Sequence, residues 1–144
     1  MGSEIRWQYR LNTLINRAVD QDVLVPLLAV NHLTQGRDAT CRVIGLELEK
    51  DGQALGELDY LYVSEQKLYA GECKAGTELE MKDVDRALIA LELGVAEFRF
   101  CTVRQFSNDA QSLISEAKQR AMKAGYPETA ISSLSGEQLI GELI

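Results

Sequence analysis

Three acids and one lysine lie in a segment that otherwise has the composition of a buried β-hairpin. The segment is GELDYLYVSEQKLYAGECKAGTEL, residues 56 to 79, and its charged residues of interest are Glu57, Asp59, Glu72 and Lys74. Carboxylates that meet on neighbouring strands favour an oxygen-seeking cation such as Mg²⁺. A lysine beside them can orient an attacking water, help to deprotonate it, or offset negative charge in a transition state.

The strand register decides whether these side chains meet. If the connecting SEQK segment forms a loop of either two or four residues, Asp59 faces Glu72 and Glu57 faces Lys74. Directly opposed residues have Cβ atoms about 5 Å apart. Two ionised carboxylates at that distance repel by roughly 3 kcal/mol at an effective dielectric near 20. A cation between Asp59 and Glu72 would remove this repulsion, and a backbone carbonyl such as that of Cys73 could add a third oxygen ligand.

The spacing of apolar residues predicts the elements that position this hairpin. We expect a helix over residues 4–19; a second helix from Asp22 to near Gly36; strands at 40–50, 56–63 and 67–74; a helix from a Thr77–Glu80 capping box to Gly94; a strand at 96–104; a helix from Ser107 to Gly125; and a short helix after Ser135. The tail from Tyr126 to that last helix is polar. This order predicts an α/β fold in which helices flank both faces of a mixed sheet.

Composition limits the class of protein. The chain has 144 residues, the size of one domain, and the GS dipeptide after Met1 is typical of a cloning scar, so we expect a single domain excised from a longer protein. A formal net charge of −7 argues against a protein that coats nucleic acid through bulk positive charge. No apolar run is long enough to span a membrane. The cysteines are three, widely spaced and set among strand residues, which favours a reducing, cytoplasmic setting.

The order of elements and the two short motifs resemble the PD-(D/E)xK nuclease superfamily, the restriction-endonuclease-like proteins. ELD on one strand, a hairpin, and ECK on the next strand match the motif of this superfamily, and the predicted αβββαβ order is similar to its core over about residues 4 to 104. The resemblance implies Asp59 and Glu72 as ligands of Mg²⁺ or Mn²⁺ and Lys74 as the catalytic lysine. Cys73 occupies the apolar position between them.

The resemblance also implies a function. We expect metal-dependent hydrolysis of phosphodiester bonds in DNA rather than RNA, by a module that serves bacterial defence or repair, fused to a sensing domain in the full-length protein. A homodimer would suit an enzyme that cuts both strands of a duplex. The alternative is a catalytically inactive module for oligomerisation or nucleic-acid binding.

Several residues keep more than one interpretation. The charged hairpin could be an exposed face with cross-strand ion pairs, each contributing about 0.2 to 1 kcal/mol. Glu57 either completes the site or only pairs with Lys74. On the helix that follows, Lys82, Asp85 and Arg86 either contact substrate phosphate or form a solvated face.

Overall fold

The computed structural model describes residues 23–140. The predicted helix at residues 4–19 lies outside them. None of the helices in the described part of the chain is long and apolar enough to cross a membrane. The elements in chain order are α1 (Leu24–Thr34), β1 (Ala39–Lys50), β2 (Gln53–Ser64), β3 (Lys67–Lys74), α2 (Met81–Glu92), β4 (Val95–Thr102), α3 (Asn108–Lys123), a 3₁₀ turn (Glu128–Ala130), β5 (Ile131–Ser135) and α4 (Gly136–Ile140).

The five strands form one mixed sheet in the spatial order β1-β2-β3-β4-β5. The first three strands are antiparallel neighbours, whereas β3 pairs with β4, and β4 with β5, in parallel. Parallel neighbours need a crossover connection, and α2 and α3 supply the two crossovers. The order α1-β1-β2-β3-α2-β4 agrees with the predicted core.

Helices cover both faces of the sheet, as predicted. On one face α1 packs over what we call the α1 cluster, whose fully buried members include Ala29, Tyr62, Cys101 and Leu139. The other face carries the larger α2–α3 cluster, in which Val84, Ala87, Ala110 and Ala117 of the two helices pack against Phe98 and Phe100. Small alanines on both helices let the backbone approach the aromatic side chains of the central strand β4. The predicted α/β class is therefore confirmed.

The hairpin of β2 and β3 closes with a two-residue turn. Glu65 and Gln66 both adopt left-handed backbone conformations, with φ of 50° and 62°, and Ser64 pairs with Lys67 on either side of them. Two positive φ angles define the turn type whose twist matches that of the strands. The register is the predicted one along the whole described ladder, which ends with Tyr60 opposite Gly71.

The start of α2 differs from the prediction. The helix begins at Met81 with Glu80 as its N-cap, and the carboxylate of Asp83 accepts a 2.8 Å hydrogen bond from the backbone N–H of Glu80. The predicted Thr77–Glu80 capping box is therefore wrong, because the acid that caps the helix lies three residues further along the chain. For α3, Ser107 is the N-cap as predicted, and its hydroxyl accepts from the N–H of Ala110 at 3.1 Å.

The polar tail contains a strand that the sequence did not predict. Residues Ile131–Ser135 form β5, in which only Ile131 and Leu134 are buried, and the strand pairs with β4 from Phe98 onward. Two buried apolar residues in five give too weak a periodic signal for a strand prediction. The short helix after Ser135 is confirmed as α4.

Candidate functional site

Strands β1 and β2 change faces where the candidate site lies. Ile44 and Tyr60 are paired and pack with the α1 cluster, whereas the next pair, Leu46 and Leu58, packs with the α2–α3 cluster. Residues two apart on a regular strand share a face, so the alternation is interrupted between these pairs. A regular strand would place Glu57, Asp59 and Leu61 on one face, and the interruption breaks this alternation.

Gly45 and Asp59 lie at this interruption. Gly45 has a φ of 68°, a conformation that L side chains rarely adopt, and a Cβ there would also lie 3.1 Å from the Oε1 atom of Glu57. The change of face leaves Asp59 half-buried beside the end of the β2–β3 ladder. Its Oδ2 atom accepts a 2.5 Å hydrogen bond from the backbone N–H of Cys73. The carboxylate of Asp59 is thereby fixed next to the segment that carries Glu72 and Lys74.

Asp59 lies in an environment that disfavours its charged form. Burial and then the charge of Glu72 raise the pKa of Asp59 from 3.8 to about 6, although the Cys73 N–H, Lys74 and Arg86 act in the opposite direction. The negative charge of Glu72 is thus felt at Asp59 despite the cations nearby. A half-buried acid beside the charge of another acid favours a further cation nearby.

Glu72 and Lys74 form the second half of the site. The Glu72 side chain is 5% exposed, and its Oε1 atom accepts a 2.7 Å hydrogen bond from the Nζ atom of Lys74. Burial by itself lowers the pKa of Lys74, but the hydrogen bond and ion pair with Glu72, reinforced by Asp83, raise it overall. Lys74 is therefore protonated at neutral pH. A protonated ammonium suits charge neutralisation or the orientation of a water better than removal of a proton.

Arg86 of α2 completes this cluster, and the sequence did not assign it there. Its Nη1 atom donates to the Oε2 atom of Glu72 and lies 3.7 Å from the Oδ1 atom of Asp83. The side chain is 17% exposed, so the alternative of a solvated helix face is wrong for Arg86. Lys82 and Asp85 are exposed, as that alternative predicted.

Asp83 is the acid that sequence analysis missed. Its side chain is fully buried, and its Oδ1 atom accepts a 3.1 Å hydrogen bond from the Nζ atom of Lys74. A signal was available, because Asp83, Ala87 and Ala90 recur at helical spacing and are all buried on α2. An acid that extends the buried stripe of a helix needs a cation inside the protein, and Lys74 and Arg86 fill that role.

Glu57 lies near the site without joining the cluster around Glu72. It is exposed and opposite Glu47 of β1, and the predicted cross-strand pairs Asp59–Glu72 and Glu57–Lys74 both lie beyond the end of the described ladder. A small cavity of about 90 Å³ is lined by Val23, Pro26, Ile44, Gly45, Glu57, Asp59 and Cys73. Glu57 and Asp59 therefore share this cavity beside the start of α1.

The donor set fits a divalent metal of the Mg²⁺ type. Among residues 23–140 no group of three or more His, Cys, Asp or Glu side chains is arranged to hold a metal ion. Mg²⁺ does not need such a group, since one or two carboxylates with waters and substrate phosphates suffice. Asp59 and Glu72 are the two carboxylates that could hold such an ion. Burial raises the pKa of the Cys73 thiol far above neutrality, so this residue can offer its backbone carbonyl oxygen but no thiolate.

Comparison with known proteins gives structural likeness alone. No family model and no curated protein sequence matches the chain. The structure of protein VC1899 from Vibrio cholerae is similar with a TM-score of 0.55 and 17% identity, over 90% of this chain and 33% of that one. The MspJI restriction endonuclease, solved with a 27-mer oligonucleotide, gives a TM-score of 0.47 and 16% identity over 96% of this chain and 34% of that one. The chain thus spans about a third of the length of each of these proteins, and the likeness to VC1899 supports the fold.

Proposed function

We propose that this chain is a metal-dependent nuclease domain that hydrolyses phosphodiester bonds of DNA, rather than RNA, with Mg²⁺ or Mn²⁺. One observation carries the proposal: the carboxylate of Asp59 is hydrogen-bonded to the peptide that follows Glu72, and the ammonium of Lys74 is paired with Glu72. The hydrogen bond and the ion pair support a site built from Asp59, Glu72 and Lys74, the residues of the ELD and ECK motifs.

The electrostatics support a role in binding a cation. Burial first, and then the charge of Glu72, raise the pKa of Asp59, and a cation bound beside both acids would favour the ionised form of Asp59. Asp59 and Glu72 would hold the metal, with the carbonyl of Cys73 as a third ligand. A bound divalent cation would polarise a phosphoryl oxygen and lower the pKa of water.

The remaining side chains have roles that follow from their charges. Lys74 is protonated, and we assign it to neutralising charge on the phosphoryl group or orienting the attacking water, rather than to deprotonating it. Glu57 faces the same cavity as Asp59, and we place it at the margin of the site as an acid that could orient water. A DNA backbone would approach an acidic domain poorly without a metal to bridge the two.

Cleavage of supercoiled plasmid, single-stranded DNA and RNA with Mn²⁺ or Mg²⁺ tests the proposal. We expect DNA cleavage that EDTA abolishes and that Lys74→Ala reduces by about 10²-fold or more. Lys67→Ala is the matched control, because Lys67 is an exposed lysine at the other end of β3. Cleavage that survives EDTA, or that Lys67→Ala impairs as strongly as Lys74→Ala does, would refute the assignment.

A second function is favoured by one specific observation. Both oxygens of Glu72 already accept from cations, Lys74 and Arg86, which is also the arrangement of a structural ion-pair network. Under this alternative the chain is a catalytically inactive module for oligomerisation or nucleic-acid binding. Mn²⁺ would then leave the melting temperature unchanged, whereas the nuclease hypothesis expects Mn²⁺ to raise it and Asp59→Asn to abolish that rise.

The setting of the domain is part of the proposal. We propose a cytoplasmic module of bacterial defence or repair, joined to a sensing domain in the full-length protein and paired as a homodimer when it cuts a duplex. Light scattering of the chain with and without a short DNA duplex tests the dimer. A particle of one chain and one duplex at every concentration would exclude it.

A further inference from the structure

Glu72 is held by two cations of different character. Lys74 comes from the same strand, two residues along, and approaches Oε1, while Arg86 comes from α2 and approaches Oε2. A carboxylate oxygen that accepts from a guanidinium at close range cannot also coordinate a metal ion without giving up or sharing that contact. Arg86 thus occupies one of the two Glu72 oxygens that could coordinate the proposed metal.

The protein has a built position for the Arg86 side chain. A Cβ at residue 56 would lie 3.0 Å from the Nε atom of Arg86, so Gly56 leaves the space that the arginine fills. The buried Asp83, 3.7 Å from Nη1, gives the guanidinium a second anionic partner on its own helix. Arg86 can therefore lose its contact with Glu72 and still have a partner.

The charges of the five side chains around Glu72 do not cancel. Three acids, Asp59, Glu72 and Asp83, face two cations, Lys74 and Arg86, and the charges of both cations act on Asp59. The cluster therefore carries one excess negative charge when all of these groups are ionised. A divalent ion together with one phosphodiester brings one net positive charge, which neutralises that excess.

We propose that Arg86 is an internal counter-ion that competes with the divalent metal for Glu72 and passes to Asp83 when the metal binds. The inference rests on the proposed metal site of Asp59 and Glu72. It makes Arg86 a positioning residue that keeps the buried acids ordered before the metal arrives. It also predicts that removing this arginine tightens metal binding, the opposite of what a supporting partner of a metal ligand would do.

Titration calorimetry with Mn²⁺ alone tests this inference on the purified chain. We expect Arg86→Gln to bind Mn²⁺ more tightly than wild type by about tenfold or more, since a competing unit charge is gone. Lys82→Gln is the matched control on the same helix, where an exposed lysine pairs with the exposed Glu80, and its affinity should stay within about twofold of wild type. Arg86→Lys keeps the positive charge but lacks the planar guanidinium, and it should bind Mn²⁺ with an affinity between those of wild type and Arg86→Gln.

The outcomes separate the two proposals. In one outcome, wild type binds Mn²⁺ through Asp59, and folded Arg86→Gln binds Mn²⁺ with unchanged or weaker affinity. This outcome overturns the counter-ion role of Arg86 and leaves the proposed metal site standing. Should Arg86→Gln not fold, Arg86→Lys decides, and an affinity no tighter than wild type overturns the role. In the other outcome, wild type does not bind Mn²⁺, or wild type and Asp59→Asn bind Mn²⁺ with the same affinity. This outcome overturns the proposed metal site and the counter-ion role with it.

Discussion

The Asp59 carboxylate makes the metal-free protein less stable as pH rises, and Asp59→Asn removes this effect. The pKa of Asp59 is raised on folding from 3.8 to about 6, by burial first and by Glu72 second. Between those values the folded chain holds a proton that the unfolded chain has released. The free energy of unfolding therefore falls as pH rises from about 4 to about 6, and the loss is complete above the folded pKa.

The size of the effect follows from the two pKa values. A change from 3.8 to about 6 corresponds to about 3 kcal/mol. Asp59 is only partly buried, so solvent screening reduces this figure, and we expect a destabilisation of about 1 to 2 kcal/mol above pH 7. Asp59→Asn can keep the hydrogen bond from the Cys73 N–H without the charge. The variant should match wild type near pH 4 and exceed its stability by about 1 to 2 kcal/mol at pH 7.5.

Urea unfolding in EDTA at several pH values measures this difference. Asp51→Asn is the control, because Asp51 is an exposed acid in the β1–β2 turn with a φ of 54°, a conformation that asparagine tolerates. The control shows how much of the effect of Asp59→Asn comes from removing any one carboxylate from the surface of this acidic chain. Two results would show that Lys74 and Arg86 fully neutralise Asp59. In the first, the free energies of unfolding of Asp59→Asn and wild type differ by an amount that does not depend on pH. In the second, Asp59→Asn is less stable than wild type at pH 7.5.

Two further substitutions test the packing around the site. Asp83→Asn should lower the free energy of unfolding by about 3 kcal/mol, because it leaves Lys74 and Arg86 with one buried acid fewer. Asp85→Asn, on the exposed side of α2, is the control and should change the free energy of unfolding by less than about 1 kcal/mol. Equal effects of the two substitutions in urea unfolding would contradict the buried cluster. Gly71→Ala should cost about 2 kcal/mol or more, since its Cβ would lie 2.2 Å from the Arg99 carbonyl oxygen. Gly76→Ala, with no atom within 4 Å of the added Cβ, is its control, and a wild-type melting temperature for Gly71→Ala would refute the packing argument.

Local chemistry in the sequence was sufficient for the hairpin and for part of the site. The SEQK segment limits the loop to a tight turn, and that turn fixes the register that brings Asp59 toward the segment of Glu72. Glu72 and Lys74 are two residues apart on one strand, so their side chains share a face by strand geometry alone. These relations depend on residues that are close along the chain, which is why sequence patterns predict them.

The parts that sequence analysis missed depend on packing between distant elements. Asp83 reaches Lys74, and Arg86 reaches Glu72, only because α2 crosses back over the sheet. The change of face between Gly45 and Asp59 requires two strands to be paired. β5 exists because the edge of β4 accepts a further strand, although its own sequence is mostly polar. Apart from the helical spacing that Asp83 shares with Ala87 and Ala90, these contacts have no periodic signal within one segment of the chain.

By itself, the sequence determined the candidate residues Asp59, Glu72 and Lys74, the order of the elements from α1 to α3, and the register of the hairpin. Tertiary structure decided how those charges are balanced, since it buried Asp83 and brought Arg86 onto Glu72. The physical reason is that strand alternation and turn geometry are local, while burial and the pairing of charges depend on which surfaces meet when the chain folds.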